Sequence, residues 1–174
     1  MKQIIRNQTF ETNSSSMHSL CLLNTNNKPY DIKNISVDFG EYGWGYDELT
    51  TPYEILSYFW TLVNELELDN KYRKLLLEWF PDVNFERPLK IIDIMNERGY
   101  YDINGYVDHG SDGWDKNDLD EIFKDKETFL DILYNGYMCI TNDNNGNLYE
   151  SEDSWNYSKE FVPDNTKEYW VKEN

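Results

Sequence analysis

Apolar residues recur at Ile55, Leu56, Phe59, Leu62, Val63 and Leu66, a three-and-four spacing that lines one face of an α-helix. The residues before them, Thr51-Pro52-Tyr53-Glu54, supply a start. Threonine can cap, proline suits the first helical position because no N–H is needed there, and Glu54 can reach back to the capping amide. The same spacing predicts a second helix from Asp69 to Phe80, with Tyr72, Leu75, Leu76 and Trp79 facing inward and Pro81 ending it. A third, shorter helix is expected over Pro88 to Arg98, stopped by Gly99. A fourth, capped by Asn117 or Asp118, carries the stripe Leu119, Ile122, Phe123, Leu130, Leu133 and Tyr134 and stops at Gly136.

Elsewhere the pattern shortens to runs that suit strands. Residues 2 to 6 and 16 to 23 read as two strands around a polar turn at Asn13, and Asn34 to Phe39 as a third. Gly40, Gly43 and Gly45 interrupt an aromatic segment and mark a loop. Tyr100 to His109 alternates and runs into the glycine-rich turn Gly110 to Gly113. Tyr137 to Thr141 and Asn147 to Glu150 flank the Asn- and Gly-rich turn Asp143 to Gly146, as in a hairpin. Residues 151 to 174 hold Trp155, Tyr157, Phe161, Tyr169 and Trp170, enough apolar surface to pack onto the body. No internal repeat or linker divides the chain. The expectation is α+β: a single compact domain over residues 1–174, with a small antiparallel sheet packed against about four helices.

A chain of 174 residues buries roughly 70% of its unfolded surface on folding, so its core needs no metal or disulfide. Charge changes the picture more than size does. The formal net charge is −17, and residues 108–174 carry 17 acidic against 6 basic side chains, which makes the C-terminal part the expected acidic face. Such a body repels phosphate backbones and anionic lipid, which argues against direct binding to nucleic acid or a membrane. An aromatic content of 16% separates it from a disordered acidic tail. Cys21 and Cys139 each sit inside apolar runs and suit buried, reduced thiols. No signal-length or membrane-length apolar stretch occurs, so the expected location is the cytoplasm of the cell that makes it.

Both histidines lie in short polar clusters, Ser14-Ser15-Ser16-Met17-His18-Ser19 and Val107-Asp108-His109-Gly110-Ser111. Brought together, they would offer two imidazoles, a carboxylate and several hydroxyls, a set suited to general base catalysis or a mononuclear metal. The catalytic candidates are therefore His18, His109, Asp108 and Ser16, and on this hypothesis both histidines are replaceable by alanine with folding intact. A Ser16, His109, Asp108 triad has no nucleophile elbow to support it. Residues 141–152 carry some ligand positions of a calcium loop, but Thr141 stands where aspartate is needed and a plain hairpin turn accounts for them better. Neither a cofactor nor a metal is expected. Asp112, Asp115, Asp118, Asp120 and Glu121, with Trp114 beside them, form a carboxylate run before the fourth helix. Such a run serves a helix N-terminus, and it also suits presentation of charge to a basic groove.

Phe10-Glu11-Thr12-Asn13-Ser14-Ser15-Ser16-Met17-His18-Ser19 resembles the F-E-T-N-S-S-S-x-H-S signature near the N-terminus of small uncharacterised proteins of bacteriophages and prophages of low-GC bacteria. Val107-Asp108-His109-Gly110-Ser111 is similar to a looser D-H-x-S element of the same group. The resemblance implies a mobile-element origin and transfers no role to any residue. Three function classes follow. The first is an acidic inhibitor that binds a host defence nuclease, such as a Cas nuclease, through its basic groove by nucleic-acid mimicry, in the manner of anti-CRISPR proteins. The second is a hydrolase or metal-dependent nuclease using His18, Asp108 and His109. The third is an accessory structural phage protein.

Overall fold

The computed structural model describes residues 18–25, 32–43, 47–66, 71–93, 98–107, 114, 116–140 and 166–172. Helix α1 (Pro52–Glu65) is the centre of the fold, and every residue from Ile55 to Val63 is buried. Its start is the one its sequence dictates. Thr51 Oγ1 accepts from Glu54 N–H at 3.3 Å while Glu54 Oε2 accepts from the N–H groups of Thr51 at 2.9 Å and Thr50 at 3.0 Å. These reciprocal bonds satisfy amides that the first helical turn otherwise leaves without partners.

A four-stranded antiparallel sheet packs against α1. Its order is β10 (Thr166–Lys172), β1 (His18–Leu23), β9 (Gly136–Ile140), β4 (Asp47–Leu49). The register sets His18 opposite Ile140, Leu20 opposite Met138 and Leu22 opposite Gly136, and Leu49 also pairs with Met138. Because side chains alternate along a strand, these residues share one face. That face meets α1, as the contact between His18 and Tyr58 shows. Cys21 and Cys139 fall on the opposite face and are buried there as free thiols. Burial pushes the Cys21 thiol up from 9.0 to about 12, with a smaller contribution from Cys139.

Helix α2 (Lys71–Trp79), helix α3 (Lys116–Ile122) and helix α4 (Lys126–Asn135) complete the helical layer. Phe59 joins them: its ring centroid lies 5.7 Å from that of Phe123 and 5.6 Å from that of Phe129, both in edge-on packing. Short ladders flank the layer. The strands β2 (Ser36–Val37) and β5 (Asn84–Phe85) pair in parallel, as do β3 (Glu41–Tyr42) and β8 (Tyr106–Val107). The hairpin β6 (Leu89–Asp93) and β7 (Arg98–Asp102) is antiparallel. The arrangement is α+β, a small antiparallel sheet against four helices among the described residues.

Three expected elements differ. Where a helix is expected over residues 88–98, Leu89–Asp93 is a strand paired with Arg98–Asp102. The run holds Ile91 and Ile92 opposite Tyr100 and Gly99, and β-branched and aromatic residues gain more from a pleated ladder than from a helix of that length. The expected fourth helix is two, α3 and α4. Asp125 adopts an extended conformation between them and its carboxylate accepts from Thr128 N–H at 2.8 Å, so the chain is capped anew. The strand expected over Tyr100 to His109 is divided between β7 and β8. The C-terminal segment reaches the body as expected, since β10 pairs with β1. The strands expected over residues 2–6 and 147–150 lie outside the described residues.

Candidate functional site

His18 begins β1 with its side chain 0% exposed. Its Nδ1 lies 2.9 Å from the hydroxyl of Tyr58, which is buried in the middle of α1. The same hydroxyl accepts from Trp114 Nε1–H at 2.6 Å. A phenol has one proton to give. Its oxygen can accept as well, so beside the bond from Trp114 the Tyr58 hydroxyl and His18 Nδ1 share a second buried hydrogen bond whose direction follows the imidazole tautomer. Burial pushes the Tyr58 phenol well above its ordinary range and outweighs the Trp114 bond, which acts the other way. The unit His18–Tyr58–Trp114 is enclosed.

A second hydrogen-bonded chain runs beside it. The Tyr42 hydroxyl donates to Ser57 Oγ at 3.0 Å, and Ser57 donates to the carbonyl of Asp38 at 2.7 Å. Thr61 Oγ1 donates to the Ser57 carbonyl and accepts from Gly40 N–H, both at 2.9 Å. The Tyr42 and Tyr58 rings meet edge to face with centroids 5.1 Å apart. Burial raises the Tyr42 phenol to about 12 despite the Ser57 bond. The polar residues of α1 therefore fasten the loop at residues 38–40 and the start of β1 to one helix. Sequence inspection misses this because Ser57, Tyr58 and Thr61 look like an ordinary polar interruption of an apolar stripe.

The expected catalytic set is only partly described. Ser16, Asp108 and His109 lie outside the described residues, and the calcium-like segment 141–152 lies there too. Of the two histidine segments the described residues include His18 and Val107, each placed against a different turn of α1. His18 and Trp114 share the Tyr58 hydroxyl, and Val107 N–H donates to Glu65 Oε2 at 2.6 Å, further along the same helix. His18 is completely buried, so its replacement by alanine is expected to cost stability. Among the described residues no group of three or more His, Cys, Asp or Glu side chains is arranged to hold a metal ion.

The carboxylate run, of which Asp118, Asp120 and Glu121 lie within α3 and not before it, also changes character. Trp114 is 2% exposed and its ring packs near Phe59 with centroids 6.3 Å apart, so it fills the core and cannot anchor a partner. Asp118 is buried at 8% exposure. Asp120 receives Lys71 Nζ and the Tyr72 hydroxyl, the latter at 2.9 Å, with Lys116 Nζ 3.6 Å from its other oxygen. Those hydrogen bonds, Lys71 first, hold the Asp120 carboxyl below its ordinary range. Glu121 is exposed. Asp112 and Asp115 lie outside the described residues.

Other acids do face solvent. Lys126 Nζ donates to the Trp79 carbonyl at 2.6 Å and brings the start of α4 against the end of α2. Glu78, Asp82, Glu121, Asp125 and Glu127 are exposed around this junction of α2, α3 and α4.

No family, curated protein or solved structure matches. Comparison with protein-family models, with curated proteins and with known structures gave no significant match in any of the three. No helix among the described residues is long and apolar enough to cross a membrane.

Proposed function

We propose that this protein acts by binding: an acidic, folded inhibitor encoded by a phage or mobile element that occupies the basic nucleic-acid groove of a host defence nuclease of the CRISPR type. The observation that carries this reading is the net charge of −17 on a chain with an ordered α+β core. A nuclease must keep a cationic channel for its substrate, and a rigid anionic surface is complementary to it in sign. The exposed acids at the α2, α3 and α4 junction, where they outnumber the exposed Lys124 and Lys126, are one described part of that surface. The neutralised Asp120 and the buried Asp118 are left out of it. Support also comes from His18: an imidazole wholly enclosed and bonded to Tyr58 serves the fold.

The test is competition. The protein is titrated into purified RNA-guided nuclease, and target-DNA binding is measured from about 50 mM to about 500 mM salt, a range over which the screening length contracts from well above to well below ~8 Å. DNA binding is expected to be lost at low salt and to recover as salt rises. Replacing Glu78, Asp82, Glu121 and Glu127 together by glutamine should weaken the competition by on the order of tenfold or more. Unimpaired DNA binding across a panel of such nucleases, or competition indifferent to salt, refutes the reading.

A further inference from the structure

The β6–β7 hairpin is joined to no further strand among the described residues. A lone two-stranded ribbon is marginal in water, and its outer edges present rows of backbone N–H and C=O groups ready to pair. Leu89, at the start of β6, is 66% exposed, more than Tyr53 or Leu77. These features call for a covering partner, and the sequence of β7 specifies one.

Strand β7 reads Arg98-Gly99-Tyr100-Tyr101-Asp102. Laid antiparallel on its own copy about Tyr100, it sets Arg98 opposite Asp102 at both ends, Gly99 opposite Tyr101 twice, and Tyr100 opposite Tyr100. Opposite charges and aromatic pairs at facing positions stabilise an antiparallel ladder. An aromatic residue facing a glycine compensates for the missing side chain. Strand β6, Leu89-Lys90-Ile91-Ile92-Asp93, has no such symmetry: about Ile91 it sets Leu89 opposite Asp93 and Lys90 opposite Ile92. We propose that the outer edge of β7 pairs with β7 of a second copy of this chain, giving a four-stranded intermolecular sheet in the order β6, β7, β7, β6.

The intramolecular register supports the same arrangement. Ile91 stands opposite Tyr100, so in the dimer sheet the row Ile91, Tyr100, Tyr100, Ile91 runs unbroken across one face. Arg98 stands opposite Asp93 in the hairpin register and opposite Asp102 in the dimer register, so both positions paired with it are acidic. The interface is small, and small interfaces belong to weak, reversible association, so the dissociation constant expected is on the order of tens of micromolar. Each copy carries −17, and two such bodies repel at long range. Salt screens that repulsion, so self-association strengthens with salt, opposite in sign to docking on a basic groove.

Sedimentation velocity on the full chain, from about 5 µM to about 500 µM and from about 50 mM to about 500 mM salt, tests this. The expected result is a monomer–dimer equilibrium whose dimer fraction rises with both. Asp102→Arg sets arginine opposite arginine at both ends and should weaken the dimer about tenfold or more. The triple variant Asp93→Arg, Arg98→Asp, Asp102→Arg changes the net charge by the same amount and restores opposite charges both within the hairpin and across the dimer, so it should recover self-association. Far-UV circular dichroism checks that both variants fold. A monomer under all conditions, or a dimer unmoved by Asp102→Arg, overturns the proposal, and so does a triple variant that folds yet stays as weak as the single one.

Discussion

At the scale of single residues, the Tyr58 hydroxyl and Gly136 have the least room for change. Tyr58→Phe keeps the ring and deletes the two buried bonds to His18 and Trp114. A net loss of about 2 kcal/mol is expected, measured as a shift in the urea unfolding midpoint at constant slope. His18→Ala should cost at least as much, since it removes both the bond and packing in a fully buried position. Gly136 ends α4 where β9 begins, and a Cβ placed there would overlap the Ile132 carbonyl oxygen and approach Ile55 Cδ1 to 3.1 Å. The obstacle is backbone and cannot rotate away. Gly136→Ala is therefore expected to destabilise by about 2–3 kcal/mol, read in the same unfolding experiment. Gly136 was identifiable from sequence as a helix stop; the closeness of the Ile132 carbonyl oxygen, which leaves no room for a Cβ, was not.

At the scale of elements, α1 shows how far local chemistry reaches. Thr51→Ala should cost about 1 kcal/mol, the ordinary value of a lost N-cap, in thermal or urea unfolding. Glu54 adds a pH dependence. Burial alone would raise its carboxyl, but the hydrogen bonds from Thr51 and Thr50 outweigh that and hold it below its ordinary 4.5. A carboxyl depressed in the folded state stabilises above the unfolded value and loses that contribution as pH falls through the folded one. The Glu54→Gln variant, which removes the titrating carboxyl, should accordingly show a shallower loss of stability than the parent as pH is lowered from about 4.5. The elements that departed from expectation did so where local signals compete. Residues 88–98 mix helix-favouring Leu89, Lys90 and Glu97 with Ile91, Ile92 and Ile94, and pairing with Tyr100 and Tyr101 decided the outcome. At Asp125 a strong capping residue inside an apolar stripe split one expected helix into two.

At the scale of the whole molecule, burial of phenols and a thiol around α1 and β1 sets the alkaline limit. Cys21 holds its proton up to about 12 against 9.0 when unfolded, and Tyr42 up to about 12 against 10.0. In that window the folded state binds more protons than the unfolded one, so stability is complete below pH 9 and declines as pH rises towards 12. Unfolding midpoints from pH 8 to 12 should show the decline, and Cys21→Ala or Tyr42→Phe should each make it shallower. Charge acts on the same scale with two opposed salt signatures. Competition for a basic groove weakens with salt, while pairing of β7 edges strengthens, so the two associations can be told apart in one salt series.

The sequence by itself determined what depends on neighbours along the chain: the capping box at Thr51 and Glu54, the stops near Pro81 and Gly136, the reduced state suited to Cys21 and Cys139, and the acidic balance. These are set by hydrogen bonds within one turn or by simple summation. Tertiary structure alone decided which polar residues are buried and which charges are compensated. His18 meets Tyr58 across 40 positions and Trp114 meets it across 56; Lys71 reaches Asp120 across 49. A partner that far away leaves no trace in local spacing. The histidine that looked like a catalytic candidate therefore holds a strand to a helix, and an acid that looked available to a partner is already neutralised by lysines of its own chain.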